Sequence, residues 1–290
     1  MPLAVIQNIS ITCQWLNLCL TFDGFDGMLE QTENKKMNAS FKPNLKTLPG
    51  GVPGLALARA PLGHVAADAC LCGGLLPGAV HEVFAAMAGA GAAASGFALA
   101  LALRALAKPK WLLWVRQDFS ALELGEIHAD GLHDFGADPS RVLLLRAPDA
   151  NAVLRGGADG LGCKGLGAVI VEPWGAASMF NLTASRRLLL AARQHGITVI
   201  VLRHGCAPAP SAAETRWLIR PAPLAPDDED RGISRFDAAL LRNRHGPAGR
   251  WMMDWDCNNG IFRTAHSRAS VPPFTGRSAE APLEDLRQAG

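Results

Sequence analysis

Short apolar runs alternate along this chain with longer stretches that have helical patterning. Five of these runs are predominantly apolar, which is typical of strands buried on both faces of a sheet. They cover residues 80–84, 111–115, 142–145, 168–172 and 197–202. Because strands that alternate with helices join through right-handed crossovers, the pattern predicts an α/β fold with a mainly parallel, twisted sheet and helices on both faces.

Helix signals occupy the segments between these runs. Ser120 and Glu123 have the spacing of a capping box, which predicts a helix start. Gly136 and Gly196 stand where glycine commonly ends a helix, and Lys108-Pro109 ends another. The predicted helices cover residues 97–108, 120–135, 151–162 and 182–195.

The last third of the chain has a different pattern. Three further strands are predicted, at 215–220, 236–242 and 250–256. The last two form an antiparallel hairpin, because the Gly- and Pro-bearing stretch 245–249 between them is a turn signal. The chain beyond Phe262 is polar and rich in proline, which predicts a mobile tail.

Composition shifts divide the chain into four segments. Residues 1–44 are predicted to be flexible; alternatively Met37 is the true start. Residues 45–78, punctuated by glycine and proline, are predicted to be an approach segment that packs on the core. The core is predicted over 79–262 and the tail over 263–290.

Charge and cysteine content exclude several functional classes. The formal net charge of the 290 residues is +2, so no global electrostatic case for nucleic-acid binding exists. The seven cysteines include no C-x-x-C pair, which indicates reduced thiols in a cytoplasmic protein and no metal site. Polar residues interrupt the mildly apolar stretch 3–22, so neither a signal peptide nor a membrane span is predicted.

The candidate chemistry lies between residues 79 and 108. A predicted strand, a loop of small residues and a helix follow one another, and this order is typical of phosphate-binding loops of the form G-x-x-x-x-G-K-[ST]. Gly91 and Gly96 have the required separation, but Phe97 and Ala98 replace the lysine and the hydroxyl. Neither the phosphate-contacting cation nor the Mg²⁺ ligand is therefore present.

Two interpretations of this loop stay open. In the first, backbone amides around Gly89, Gly91, Ser95 and Gly96 retain weak nucleotide binding. In the second, the small residues only let the helix pack on the sheet. We expect no bound cofactor and no catalysis in either case.

The order of motifs resembles a known family. The sequence reads PGAVHEVF at 77–84, FALAL after Gly96, VIVEPW at 169–174, and FDAALLRNR at 236–244 followed by GRW. Over residues 76–256 this series resembles the RecA-type recombinase core, and more specifically the inducible mutagenesis protein A (ImuA) family. The resemblance implies a RecA-like core.

The resemblance also assigns expected roles to two carboxylates. Glu172 falls where the recombinase has its Mg²⁺-side aspartate, and Asp118 falls near the carboxylate that orients the attacking water. The alternative is that each is an ordinary solvated or capping residue. The two loops that grip single-stranded DNA in the recombinase are cut down here to 173–181 and 203–214. We therefore expect DNA binding to be weak or indirect.

The function that the resemblance implies is that of a non-catalytic accessory protein in SOS-induced translesion DNA synthesis. Its implied partners are an ImuB-like inactive Y-family polymerase and an error-prone C-family polymerase, with RecA itself as a further candidate. Two alternatives stay open: a DNA-dependent ATPase that obtains its lysine elsewhere, and a SulA-type inhibitor of cell division.

The C-terminal hairpin is the predicted partner surface. Arginine and tryptophan are the residues in which interface energy concentrates. The candidates are Arg242, Arg244, Arg250, Trp251 and Trp255. The alternative for the two tryptophans is a position in the core.

Overall fold

The computed structural model describes residues 4–7, 58–106, 110–224 and 233–265. These residues form one mixed sheet with helices packed against it. The strands are β1 (Ala4–Gln7), β2 (Val80–Ala85), β3 (Trp111–Gln117), β4 (Val142–Ala147), β5 (Leu166–Glu172), β6 (Thr198–Arg203), β7 (Thr215–Pro221), β8 (Ser234–Asn243), β9 (Gly249–Asp256) and β10 (Ile261–Thr264). The helices are α1 (Val65–Cys70), α2 (Gly91–Ala105), α3 (Asp118–Leu124), α4 (Ala129–Asp134), α5 (Ala150–Gly160) and α6 (Leu182–His195), with a 3₁₀ turn at Pro139–Arg141.

The strands lie in the order β1-β4-β3-β5-β6-β2-β7-β8-β9-β10. The part from β1 to β7 is parallel, and β7 to β10 are antiparallel. All five predicted parallel strands are present within one or two residues of the predicted bounds. The predicted mainly parallel α/β sheet and its C-terminal hairpin are therefore confirmed.

Each face of the sheet has its own hydrophobic core. Because successive side chains of a strand point to opposite faces, Ala168 and Ile170 of β5 pack on the α2 side, and Val169 and Val171 pack under α5 and α6. Every residue of β5 is buried. This central strand thus contributes apolar side chains to both cores and places Glu172 at its carboxyl end.

An aromatic cluster joins the antiparallel strands to the parallel part. Phe97 of α2 is fully buried, and its ring centroid lies 5.3 Å from that of Trp217, 5.5 Å from Phe236 and 5.2 Å from Phe262. Tilted and edge-on ring pairs at such distances are favourable beyond the area that they bury. The residue that replaces the expected lysine is therefore a core residue.

Two predictions of local structure are wrong. Residues 91–96 belong to α2 rather than to the loop, because alanine has the highest helix propensity and carries the helix through Gly96. The single helix predicted over 120–135 is two helices, since Gly125 adopts φ +81° and ends α3. Ser120 is buried within α3, so it does not cap a helix.

Other parts of the fold were not anticipated. Helix α1 lies in the predicted approach segment, where Leu62, Leu71 and Leu75 are buried in the α2-side core. Strand β10 extends order past Phe262, and the tail from residue 266 lies outside the described residues. Strand β1 lies within segment 1–44, and the other residues of that segment lie outside the described residues. Lys108 and Pro109, the predicted end of a helix, also lie outside them. None of the helices in the described ranges has the length and hydropathy that crossing a membrane requires.

Candidate functional site

The carboxyl ends of the parallel strands meet at one edge of the sheet, which is where ligands bind in open α/β sheets. Four connections on this edge concern the predicted site: the turn from β2 to α2, the start of α3 after β3, and the segments that follow β5 and β6. Most of the predicted nucleotide-site residues lie on these connections.

The turn from β2 to α2 is short and carries no phosphate-binding side chain. It covers residues 86–90, with Gly89 at φ +85°, and α2 begins at Gly91 without a side-chain cap on Ala90. The phosphate-loop pattern has eight positions and begins where the strand ends. Placed from Ala85, the last residue of β2, the pattern covers residues 85–92 rather than 91–98. This stretch contains neither lysine nor hydroxyl. The two functional groups are thus absent in the structural register as well.

A neighbouring helix packs directly against the start of α2. A β-carbon built on Gly91 would lie 2.4 Å from Leu124 Cδ2 of α3. Without a side chain, Gly91 leaves room for the end of the Leu124 side chain, which is a packing role. Leu124 lies against the first turn of α2, where an anion would contact the free backbone N–H groups.

Ser95 and Gly96 lie away from the turn. Both are in the second turn of α2, about 6 Å along the helix from Gly91. Ser95 is half-buried, and a β-carbon on Gly96 would meet the rings of Phe135 and Phe236 at 3.4 and 3.6 Å. The structure therefore does not bring these two predicted residues to the turn.

Glu172 is fully buried at the end of β5 and is neutralised within the protein. It accepts hydrogen bonds from Trp114 Nε1 at 2.8 Å and from Arg116 Nε at 3.1 Å. Arg116 is only 3% exposed and also donates to the carbonyls of Ser120 and Gly125. A buried carboxylate must be paired, and this one has both its counter-charge and its hydrogen-bond donors in the chain.

An aromatic layer covers this buried pair. His204, at 2% exposure, places Nε2 3.4 Å from Glu172 Oε1 but with poor hydrogen-bond alignment. Its ring stacks on Trp174 at 5.4 Å, and Phe119 packs edge-on against the same tryptophan at 5.5 Å. The backbone N–H of Trp174 donates to Gln117 Oε1. These contacts tie the ends of β3, β5 and β6 together.

Asp118 interacts on the other side of β3, away from Glu172. Its carboxylate accepts a hydrogen bond from Arg146 Nε of β4 at 2.9 Å. Arg146 also donates to both oxygens of Glu126, and these bonds, with the one to Asp118, raise its pKa. The two predicted carboxylates therefore belong to separate ion pairs. In the described part of the chain, no group of three or more His, Cys, Asp or Glu side chains could hold a metal ion.

The predicted partner residues divide between core and surface. Trp255 is 1% exposed and donates to the Phe135 carbonyl, while Trp251 is half-buried against the same core. Arg250 is exposed and paired with Asp237, whose pKa it lowers by hydrogen bonding. The tryptophans are therefore mainly core residues, and the arginines form the accessible part.

The remaining predicted arginines lie near the hairpin turn. Arg242 donates to the Ser211 carbonyl, which fixes its side chain. Arg244 is exposed, and no described residue forms a hydrogen bond or an ion pair with its guanidinium. Of this pair, Arg244 is the one free to contact a partner.

Sequence reasoning missed the partners of Glu172. Trp114 and Arg116 stand in an apolar run that looks like ordinary core, and His204 follows another. One signal was available, because Arg116 is the first charged residue after an apolar stretch and so is Glu172. Parallel neighbours in register would place these two side by side, as the structure does.

The sequence of this chain is similar to that of known proteins. No family model matches it. Over 207 residues it is 33% identical to Protein ImuA of Caulobacter vibrioides, in strains NA1000 / CB15N and ATCC 19089 / CIP 103742 / CB 15. The aligned region covers 66% of this chain and 81% of the relative. With that identity over most of the relative's length, the chain belongs to the ImuA family.

Proposed function

We propose that this protein is a non-catalytic, RecA-like accessory protein of damage-induced mutagenesis that acts in the cytoplasm. Its kinship with Protein ImuA supports a role in mutagenesis. The observation that carries the non-catalytic part is the buried Glu172, whose charge Arg116 compensates and which Trp114 also binds. A carboxylate whose charge is compensated and whose two oxygens already accept hydrogen bonds is not available to bind the Mg²⁺ of a Mg²⁺–nucleotide complex.

The proposed RecA-like character rests on the arrangement of the carboxyl edge. A central parallel strand leads into a short turn and a long helix, as in phosphate-loop proteins. The apolar strand β5 ends in its single acid at the same edge. The turn has the architecture of a nucleotide site, while its lysine, its hydroxyl and its free carboxylate are missing.

The partners that we propose are an ImuB-like inactive Y-family polymerase and an error-prone C-family polymerase, with RecA as a further candidate. A protein without phosphate chemistry acts through its surface, and the end of the β8–β9 hairpin offers suitable groups. Leu241 is 45% exposed there, and the guanidinium of Arg244 is uncommitted among the described residues. Exposed apolar and arginine side chains together are typical of interface anchors.

Damage-induced mutation frequency tests this proposal. A strain that lacks its own copy of the gene is irradiated with and without this chain supplied from a plasmid. The proposal predicts that the chain restores mutation frequency. A SulA-type inhibitor would instead produce filamentous cells, and an ATPase of recombinational repair would restore survival without mutagenesis; either result would replace the proposal.

A further inference from the structure

The arginines of this protein are not equally committed to internal contacts. Most of the described arginines pair with a carboxylate or donate to a backbone carbonyl; examples are Arg146 with Glu126, Arg216 with Glu82 and Arg235 with Asp254. In the described ranges, five arginines have no such partner, and three of them lie on α6. The other two are Arg155 and Arg244. Uncommitted arginines are thus concentrated on one helix.

Helix α6 has one apolar face and one basic face. Its buried side chains, among them Leu188 and Ala192, pack on the sheet. Arg186, Arg187 and Arg193 are all exposed. The helix contains no acidic residue that could pair with them at i+3 or i+4. Nothing within the helix therefore neutralises this face.

The neighbouring helix extends the basic surface. Because α5 packs on β3 and β5 and α6 packs on β6 and β2, the two helices lie side by side on one face of the sheet. Arg155 on α5 and Lys164 in the turn after it are both exposed. Asp159 partly offsets Arg155. We call the surface formed by Arg155, Lys164 and the three α6 arginines the basic face.

Acidic residues are collected on the other face of the sheet. The segment from residue 118 to 138 contains six Asp and Glu residues and no Lys or Arg. Helix α4 in this segment packs through Leu132 on the α2-side core, opposite the basic face. Three of these six carboxylates pair with Arg141 or Arg146, so the acidic excess that remains on this side is carried by the other three.

We propose that the basic face binds the phosphate backbone of DNA without reading its sequence. Arg186 and Arg193 are separated by about 10 Å along the helix axis, so these cations do not converge on one small anion. A spread of exposed guanidinium groups over two adjacent helices matches a line of phosphates, which arginine binds well. This surface is independent of the β2–α2 turn and of the shortened loops, so it does not rest on the proposed function.

The strength of such a contact is determined by the number of phosphates that it neutralises. With three to four effective cations, the slope of log K against log salt is about −3 to −4 for duplex DNA. Raising the salt from 50 to 200 mM should therefore weaken binding by roughly 40- to 150-fold. Each arginine removed should reduce the slope by about one.

The test is a fluorescence-anisotropy titration of the full chain against a labelled 30-base-pair duplex at several salt concentrations. The variant carries Arg186→Gln, Arg187→Gln and Arg193→Gln. Glutamine removes the positive charge but keeps an unbranched polar side chain and a high helix propensity. The control carries Arg141→Gln, Arg220→Gln and Arg263→Gln, which remove the same net charge from other parts of the surface. Thermal unfolding of both variants confirms that they are folded.

We expect the α6 variant to lose at least tenfold in affinity at 50 mM salt, and the control to lose less than threefold. Its salt slope should fall by about three, whereas the control should keep the wild-type slope. Equal weakening of both variants, or no salt-dependent binding by the wild type, would overturn the proposal. A third outcome is that the wild type self-associates but does not bind DNA, and that the α6 variant no longer self-associates. The basic face would then bind the acidic side of a second copy of the chain, and the proposal would be replaced.

Discussion

Replacing Glu172 by glutamine separates a structural role from a catalytic one. Glutamine has nearly the same shape and keeps an acceptor for Trp114 Nε1, but it removes the counter-charge of Arg116. If Glu172 were a catalytic carboxylate, this change would abolish activity and leave stability nearly unchanged. If it compensates a buried arginine, the change should destabilise the fold.

The size of the effect follows from the burial of Arg116. Removing one partner of a buried ion pair typically costs about 3–5 kcal/mol, because the other charge remains uncompensated. Arg116 keeps its hydrogen bonds to the carbonyls of Ser120 and Gly125, which places the expected loss near the lower end, about 3 kcal/mol. The measurement is the free energy of unfolding in urea, followed by tryptophan fluorescence.

Two matched variants make the result specific. Glu126→Gln removes a half-exposed partner of Arg146 and should cost less than about 1 kcal/mol. Combining Glu172→Gln with Arg116→Met removes both buried charges, so the total loss should be smaller than the sum of the single losses by at least about 1 kcal/mol. A loss below about 1 kcal/mol for Glu172→Gln alone would refute the reasoning.

Two further predictions concern activity and partner binding. Purified protein should hydrolyse ATP no faster than background, with or without single-stranded DNA, because residues 85–92 and positions 97 and 98 offer no lysine or hydroxyl; turnover that a folded Asp118→Asn variant lacks would contradict this. Combining Leu241→Ser with Arg244→Gln should weaken capture of the polymerase-like partner by about tenfold in a pull-down, since both side chains are exposed at the hairpin end. Leu122→Ser, at an exposed leucine on α3, is the control, and unchanged capture by the hairpin variant would place the contact elsewhere.

The strands were predictable because each is a short apolar run bounded by polar or glycine residues. A strand such as β5, which is buried along its whole length, is a continuous apolar run without polar alternation, and such a run predicts a strand directly. The prediction of a strand at residues 168–172 is therefore confirmed. The start of α2 was not predictable in the same way. Glycine at 91 and 96 suggested a loop, whereas the alanines between them favour helix and the Leu124 side chain packs against Gly91.

The interactions around Glu172 depend on which strands become neighbours. Arg116 precedes Glu172 by 56 residues, and the pair forms only because β3 and β5 are adjacent and in register. The apolar residues of the two strands carry no information on that register, so the only local signal is the single charged residue at the end of each apolar run. The pairing of β1 with β4 is a similar case, since residues 4–7 show no feature that points to a partner.

The central claim is that this chain promotes damage-induced mutagenesis without nucleotide chemistry. The measurement that tests it most directly is mutation frequency after irradiation in a strain that lacks its own copy, complemented with the wild-type chain or with Asp118→Ala. Asp118 is half-exposed at the carboxyl edge, so its loss leaves the buried Arg116–Glu172 pair intact. The account predicts that both chains restore mutation frequency equally. Failure of the wild type, or failure of a folded Asp118→Ala chain alone, would contradict it.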